Sequence, residues 1–86
     1  MKIAFDPAKD ASNRLKHGVS LDIGGQIIAD AVTTVQDGRF DYGEDRFAAY
    51  GYIGERLYVC VFAVRDETNR IISVRKAHKQ EVARHG

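Results

Sequence analysis

A single cysteine, Cys60, among 86 residues leaves this chain unable to form an internal disulfide or a cysteine-based zinc site, and fits a reducing compartment. Cys60 lies in an apolar stretch and is expected to be a small buried hydrophobe. No apolar run approaches the ~20 residues that span a bilayer, so no membrane anchor is expected. The opening MKIAFDPAKD lacks the apolar core and small-residue cleavage site of a signal peptide, which makes the cytoplasm the expected location. Neither a glycine-rich phosphate loop nor a nucleophilic Ser or Cys triad is discernible. A second domain is excluded, because so short a chain buries only roughly 60–65% of its unfolded surface and builds one core. An excess of charge of one sign is also missing: the net value is +1, within an ordinary globular composition of 44% hydrophobic and 29% charged residues.

The distribution of charge is less neutral than its sum. Residues 1–18 carry four Lys/Arg against two Asp, and residues 70–86 carry five against one Glu. The segment between them carries four against nine. Such segregation builds a positive face when the fold brings the two ends together, and a positive face suits a phosphate backbone or an acidic partner.

Periodicity gives an α+β order. KIAF is a short strand candidate, and Asp6-Pro7 starts a helix with Asp6 as N-cap and Pro7 at the first helical position. Ala8, Ala11 and Leu15 share one helical face, with Lys9, Asn13, Lys16 and His17 largely off it, and Gly18 is the C-cap. Ser20 and Asp22 open a second helix to about Ala29, weakened by the Gly24-Gly25 pair. AVTTVQ, RFAAYGYI, RLYVCVFAVR and RIISVR then read as strands, and RLYVCVFAVR, apolar on both faces, is central. A short charged helix from about His78 to Arg84 closes the chain. The expected architecture is two N-terminal helices, an antiparallel sheet of three to four strands and a C-terminal helix, all in one domain.

Five segments, in order and over nearly the whole chain, resemble the BrnT-type toxins, also described as domain of unknown function 497: FDPAK at 5–9, NRLKHGVS at 13–20, YGEDRFAAYG at 42–51, RLYVCVF at 56–62 and RIISVRKA at 70–77 followed by Glu81. The resemblance implies a RelE-like ribonuclease toxin of a bacterial type II toxin–antitoxin pair, neutralised by a BrnA-like antitoxin whose other domain binds operator DNA. The toxin would then meet that DNA only indirectly, and would form a hetero-oligomer with the antitoxin or a homodimer. His85 stands where many members carry tyrosine, His78 where they often carry a small hydroxyl residue, and Phe40 where many carry a histidine.

Metal-free RNA cleavage needs a base for the 2′-OH, cations for the dianionic phosphorane and an acid for the 5′-oxygen. Arg75 and Arg46 are the best clamp candidates, because a guanidinium fork donates two parallel hydrogen bonds to phosphate oxygens. By strand alternation Arg75 shares a face with Ile71 and Ser73, and Lys76 points the other way. His78, Glu81 and His85, one face of a helix, are the proton-transfer candidates, with Glu44 an alternative orienting group or base. That triple also has metal-ligand character, but no further ligand is evident, and no metal or cofactor is expected. Lys76, Lys79, Lys16, His17 and Glu44 are candidate substrate-binding residues. Plainer readings stand beside these: Glu44 and Arg46 as a surface ion pair, His78 as an N-cap, Lys16 and His17 as cations at a helix C-terminus. Tyr50, Tyr52 and Tyr58 are expected to pack in the sheet. Two other functions fit the same residues: a catalytically weakened module that docks its antitoxin and tunes operon repression, and a structural or RNA-binding protein without an antitoxin.

Overall fold

The computed structural model describes residues 1–37 and 44–86. The α+β class stands, but among the described residues the sheet has five strands and is mixed, not three to four and antiparallel. The strands are β1 (Lys2–Ala4), β2 (Thr33–Asp37), β3 (Arg46–Ile53), β4 (Arg56–Arg65) and β5 (Thr68–Lys76), in spatial order β1-β5-β4-β3-β2. β2 to β5 form the expected antiparallel meander with β4 inside it, while β1 joins parallel to β5 through Lys2↔Thr68, Ile3↔Asn69 and Ala4↔Arg70. Of the three α-helices among the described residues, α1 (Pro7–His17) and α3 (Lys79–His85) fall close to their expected bounds. The second N-terminal helix is broken into a 3-10 turn, Leu21–Ile23, and a six-residue α2 (Gly24–Ala29).

Local chemistry explains the caps. Asp6 accepts the Ala8 N–H at 2.8 Å, Ser20 accepts the Asp22 N–H at 3.2 Å, and Gly18 ends α1 at φ 73°, a left-handed conformation that favours glycine. Gly24 serves packing: a Cβ there would lie 3.0 Å from Cys60 Sγ and from Ile71, so the close approach of α2 to the sheet requires its absence.

One sheet face carries α1, the 3-10 turn and α2 over a core of Leu21, Ile27, Ala49, Cys60, Phe62, Ile71 and Val74. Cys60 is fully buried there, and burial pushes its thiol up to about 12, so it behaves as the inert hydrophobe expected. The other face carries α3 near a smaller cluster of Tyr50, Leu57, Val59 and Ala77. A bulge between these faces corrects the expected alternation of β5. Val61 pairs with Ser73 but Phe62 pairs with Ile71, so Ile72 is the extra residue. Ile71 therefore lies on the Val74 face, and of the two neighbours expected to share its face Arg75 keeps Ser73.

Helix α1 inverts its expected orientation. Leu15 is 90% exposed, Ala8 and Ala11 are exposed, and Asn13 is the buried residue. The reason is position: α1 lies along the outer edge of β5 beyond the reach of β1, where backbone groups need partners. Asn13 Nδ2 donates to Val74 O at 2.8 Å and to Val19 O at 2.9 Å, and its Oδ1 accepts the Val74 N–H at 3.2 Å. A leucine in that place would leave the edge unsatisfied. Asp10 holds the next segment by accepting from the Leu21 N–H at 2.7 Å, the Ser20 hydroxyl at 2.9 Å and Arg14 Nε at 3.1 Å. The Leu21 N–H leads in keeping its carboxyl below the usual carboxylate range.

Asn13→Ala is expected to destabilise the fold by about 2–4 kcal/mol in urea unfolding, because the buried Val74 groups and the partly buried Val19 carbonyl lose their partner. At the β4–β5 turn, Asp66 and Glu67 take φ 50° and 63°. Glu67→Gly is expected to raise Tm by a few degrees, removing roughly 1 kcal/mol of left-handed strain.

Candidate active site

Strand register sorts the α3 side of the sheet into three rows. Thr33, Tyr50, Val59 and Arg75 form the first, Val35, Ala48, Val61 and Ser73 the second, and Arg46, Ala63 and Arg70 the third. Helix α3 meets the first row. Its Glu81 faces Arg75, its His85 ring lies against Tyr50 with centroids 4.2 Å apart, and its His85 carbonyl accepts the Thr33 hydroxyl at 3.0 Å. The second row is a partly open floor of small and aliphatic side chains.

Arg75 and Glu81 make a bidentate ion pair, Nη1 to Oε1 at 2.7 Å and Nη2 to Oε2 at 2.9 Å, with both side chains about one quarter exposed or less. Glu81 Oε1 also accepts the His78 N–H at 2.8 Å, and Tyr50 donates its hydroxyl to Oε2 at 3.4 Å. The Arg75 hydrogen bonds, against the cost of burial, hold the Glu81 carboxyl down to about 2. It is therefore ionised throughout the physiological range and suited to orienting Arg75, not to taking up a proton near neutrality. Burial, followed by the Glu81 charge, raises the Tyr50 phenol, which stays a donor. Arg75 Nη1 additionally donates to Lys76 O at 3.2 Å. Of five guanidinium N–H groups, three are thus engaged among the described residues, and Nε–H with the second Nη2–H leaves a side edge able to grip two oxygens.

The candidates named from sequence divide accordingly. Arg75, Glu81 and His85 converge, and His78 reaches the group through its main chain. Arg46 and Glu44 form a loose pair at 3.8 Å in and beside the third row. Arg46 is four residues from Tyr50 along β3, roughly 13 Å at ~3.3 Å per residue, so it belongs to a separate part of the face. Lys76 pairs with Tyr58 on the opposite side of the sheet, as alternation requires. Lys16 and His17 are exposed in the last turn of α1, and Lys79 is exposed in the first turn of α3. Phe40 lies outside the described residues. Sequence reasoning assigned Tyr50 to packing, which holds, but missed its hydroxyl on Glu81. It also passed over Lys9 and Arg70, which line a pocket of about 150 Å³ with Arg46. Pairing register carries that signal for Arg46 and Arg70, and the placement of α1 carries it for Lys9.

The family model for the ribonuclease toxin BrnT of type II toxin–antitoxin systems matches residues 5–81. The chain belongs to that family of ribonuclease toxins, whose systems pair each toxin with an antitoxin protein. No curated protein matches the chain. Among the described residues, no helix is long and apolar enough to cross a membrane.

The ion pair fixes a pH response. Glu81 titrates at about 2 in the folded chain against 4.5 as its ordinary value, so the unfolded state takes up the proton first as pH falls. Its stabilising contribution is complete above about pH 4.5 and is lost as pH drops toward 2. Glu81→Gln should cost about 1–2 kcal/mol at pH 7 and converge on wild type by pH 2 in denaturant titrations across that range.

Proposed function

We propose that this protein is a RelE-like endoribonuclease that cleaves RNA without a metal ion at the Arg75–Glu81–Tyr50–His85 group, inhibits translation in the cytoplasm and is neutralised by a BrnA-like antitoxin. The observation that carries this reading is the side edge of Arg75, unengaged among the described residues. Glu81 grips the guanidinium end-on and fixes its plane, while Nε–H and Nη2–H remain for two phosphate oxygens. In this reading the phosphorane's charge builds against Arg75. His85, held on the Tyr50 ring, supplies or accepts a proton, and His78, at the start of α3, is the second imidazole available. The 2′-OH is the nucleophile, which makes the chemistry selective for RNA over DNA. An acidic antitoxin segment laid over the same face would block the strand's path, and operator DNA would be reached through the antitoxin.

A second reading, a weakened toxin that chiefly docks its antitoxin and tunes operon repression, draws on the same pair: Glu81 offsets the Arg75 charge and reduces its pull on phosphate. Incubation of the folded protein with RNA in EDTA separates the two. Cleavage is expected, falling about 10²-fold in kcat/KM for Arg75→Ala, with growth arrest on expression lost in the same variant. Intact RNA at stoichiometric protein would leave only the docking role.

A further inference from the structure

We propose that the groove between α1 and the bulge of β5 is a docking site for an acidic amphipathic helix of a partner protein, whose carboxylates meet Lys9 and Lys16 and whose apolar side chain enters between them over Ile72. The groove shares no residue with the Arg75 group, and the inference does not rest on the ribonuclease reading.

Lys9, Ser12, Asn13, Lys16 and Ile72 line a groove of about 210 Å³, the volume of roughly seven water molecules. Its floor is the extra residue of the β5 bulge, Ile72, which is left partly exposed beside α1. Asn13 is a wall and not a ligand, because its amide hydrogens serve Val19 and Val74 and its oxygen holds the Val74 N–H. Two ammonium groups, one hydroxyl and an apolar floor remain for an occupant.

The lining holds no carboxylate, and neither lysine makes an ion pair among the described residues. The acidic neighbours of Lys9 along α1 are engaged elsewhere: Asp6 caps the helix through the Ala8 N–H, and Asp10 holds Ser20, Leu21 and Arg14.

Spacing along α1 sets the occupant. Lys9 and Lys16 stand about two helical turns apart, roughly 10 Å at ~1.5 Å per residue, with Ser12 between them. A partner helix presents carboxylates at that interval when they are seven residues apart, and a leucine between them faces the same way, as in Glu-x-x-Leu-x-x-x-Glu. Outward of Ser12, Ala8 and Leu15 follow about 40–60° farther round α1 at ~100° per residue, and both are exposed, Leu15 by 90%. A helix laid in the groove buries that apolar flank, which a phosphate backbone would leave wet. Single-stranded RNA is held by aromatic stacking and guanidinium forks, and this lining has neither. A second copy of this chain does not fit, because no α-helix among the described residues carries two carboxylates. Helices α1 and α3 lie on opposite faces of the sheet, so the occupant tethers the protein and leaves Arg75 open.

A helix-stapled peptide carrying Glu-x-x-Leu-x-x-x-Glu, titrated into the isotope-labelled full chain and followed by amide NMR shifts, tests this without cleavage. The amides of Lys9, Ser12, Lys16 and Ile72 are expected to shift together and saturate by millimolar peptide. Lys16 and Leu15 are exposed, so their replacement leaves the core intact. Lys16→Glu is expected to weaken binding about fivefold, and a peptide with the facing glutamate changed to lysine should recover it. Leu15→Ala is expected to cost about threefold. Absence of saturable shifts at these amides in the folded wild type, or a charge-swapped pair that fails to recover, would overturn the docking site and leave the ribonuclease reading untouched. A 2′-O-methylated oligouridylate that shifts the same amides at lower concentration than the peptide would also overturn it, assigning the groove to RNA.

Discussion

The outer edge of β5 is the constraint on which the fold depends. A central hairpin of β4 and β5 offers an unpaired row of N–H and C=O groups along that edge, and buried backbone groups without partners are costly. The chain closes the edge in two pieces. β1 pairs with residues 68–70, and Asn13 takes over at Val74 with one side-chain amide acting as a single rung of a strand. This closure fixes α1 beside the sheet and directs its polar residue inward. The same amide holds Val19 O, and Asp10 one turn earlier holds Leu21 N, so the path to α2 is set by polar groups before apolar packing completes it.

On the opposite face a second polar knot positions the candidate site. Helix α3 has seven residues, none of them buried, and such a helix is marginal by itself. Its anchors reach three strands: Glu81 to Arg75 on β5, His85 to Tyr50 on β3, and the His85 carbonyl to Thr33 on β2. Because those anchors are also the candidate reactive groups, docking the helix and aligning the site are one event. Ionised Glu81 satisfies the start of α3 through His78 N–H while it sets the plane of Arg75, so capping and candidate-site geometry share one carboxylate.

Much of this was legible in the chain, and the failures have physical causes. The strand segments, the caps at Asp6, Ser20 and Gly18, the burial of Cys60 and the opposition of Arg75 to Lys76 followed from local chemistry and two-residue alternation. The parallel β1 pairing was not legible, because a three-residue strand carries no sign of its partner. The orientation of α1 was misread because periodicity assumes that a helix turns its apolar side inward, whereas a sheet edge rewards an amide. Alternation failed for Ile71 at a bulge that no turn residue announces. In the site, Arg75 and Glu81 were named from the family resemblance, but their bidentate union depends on where α3 lands. Lys9, Arg46 and Arg70 are far apart in sequence, and strand register with the placement of α1 brings them together.

Strand register and edge closure gather the cations of a chain whose net charge is only +1. The positive segments are the two ends, 1–18 and 70–86, and in a simple meander they would lie wherever their strands fell. Parallel pairing of β1 with β5 and the Asn13 bond to Val74 draw both ends to one edge of the sheet. Arg46, from the acidic middle of the sequence, is carried to the same region because β3 lies two strands from β5. The charge pattern acquires its physical meaning through edge closure, since the interaction that stabilises the outer edge also assembles the face that a polyanion would meet.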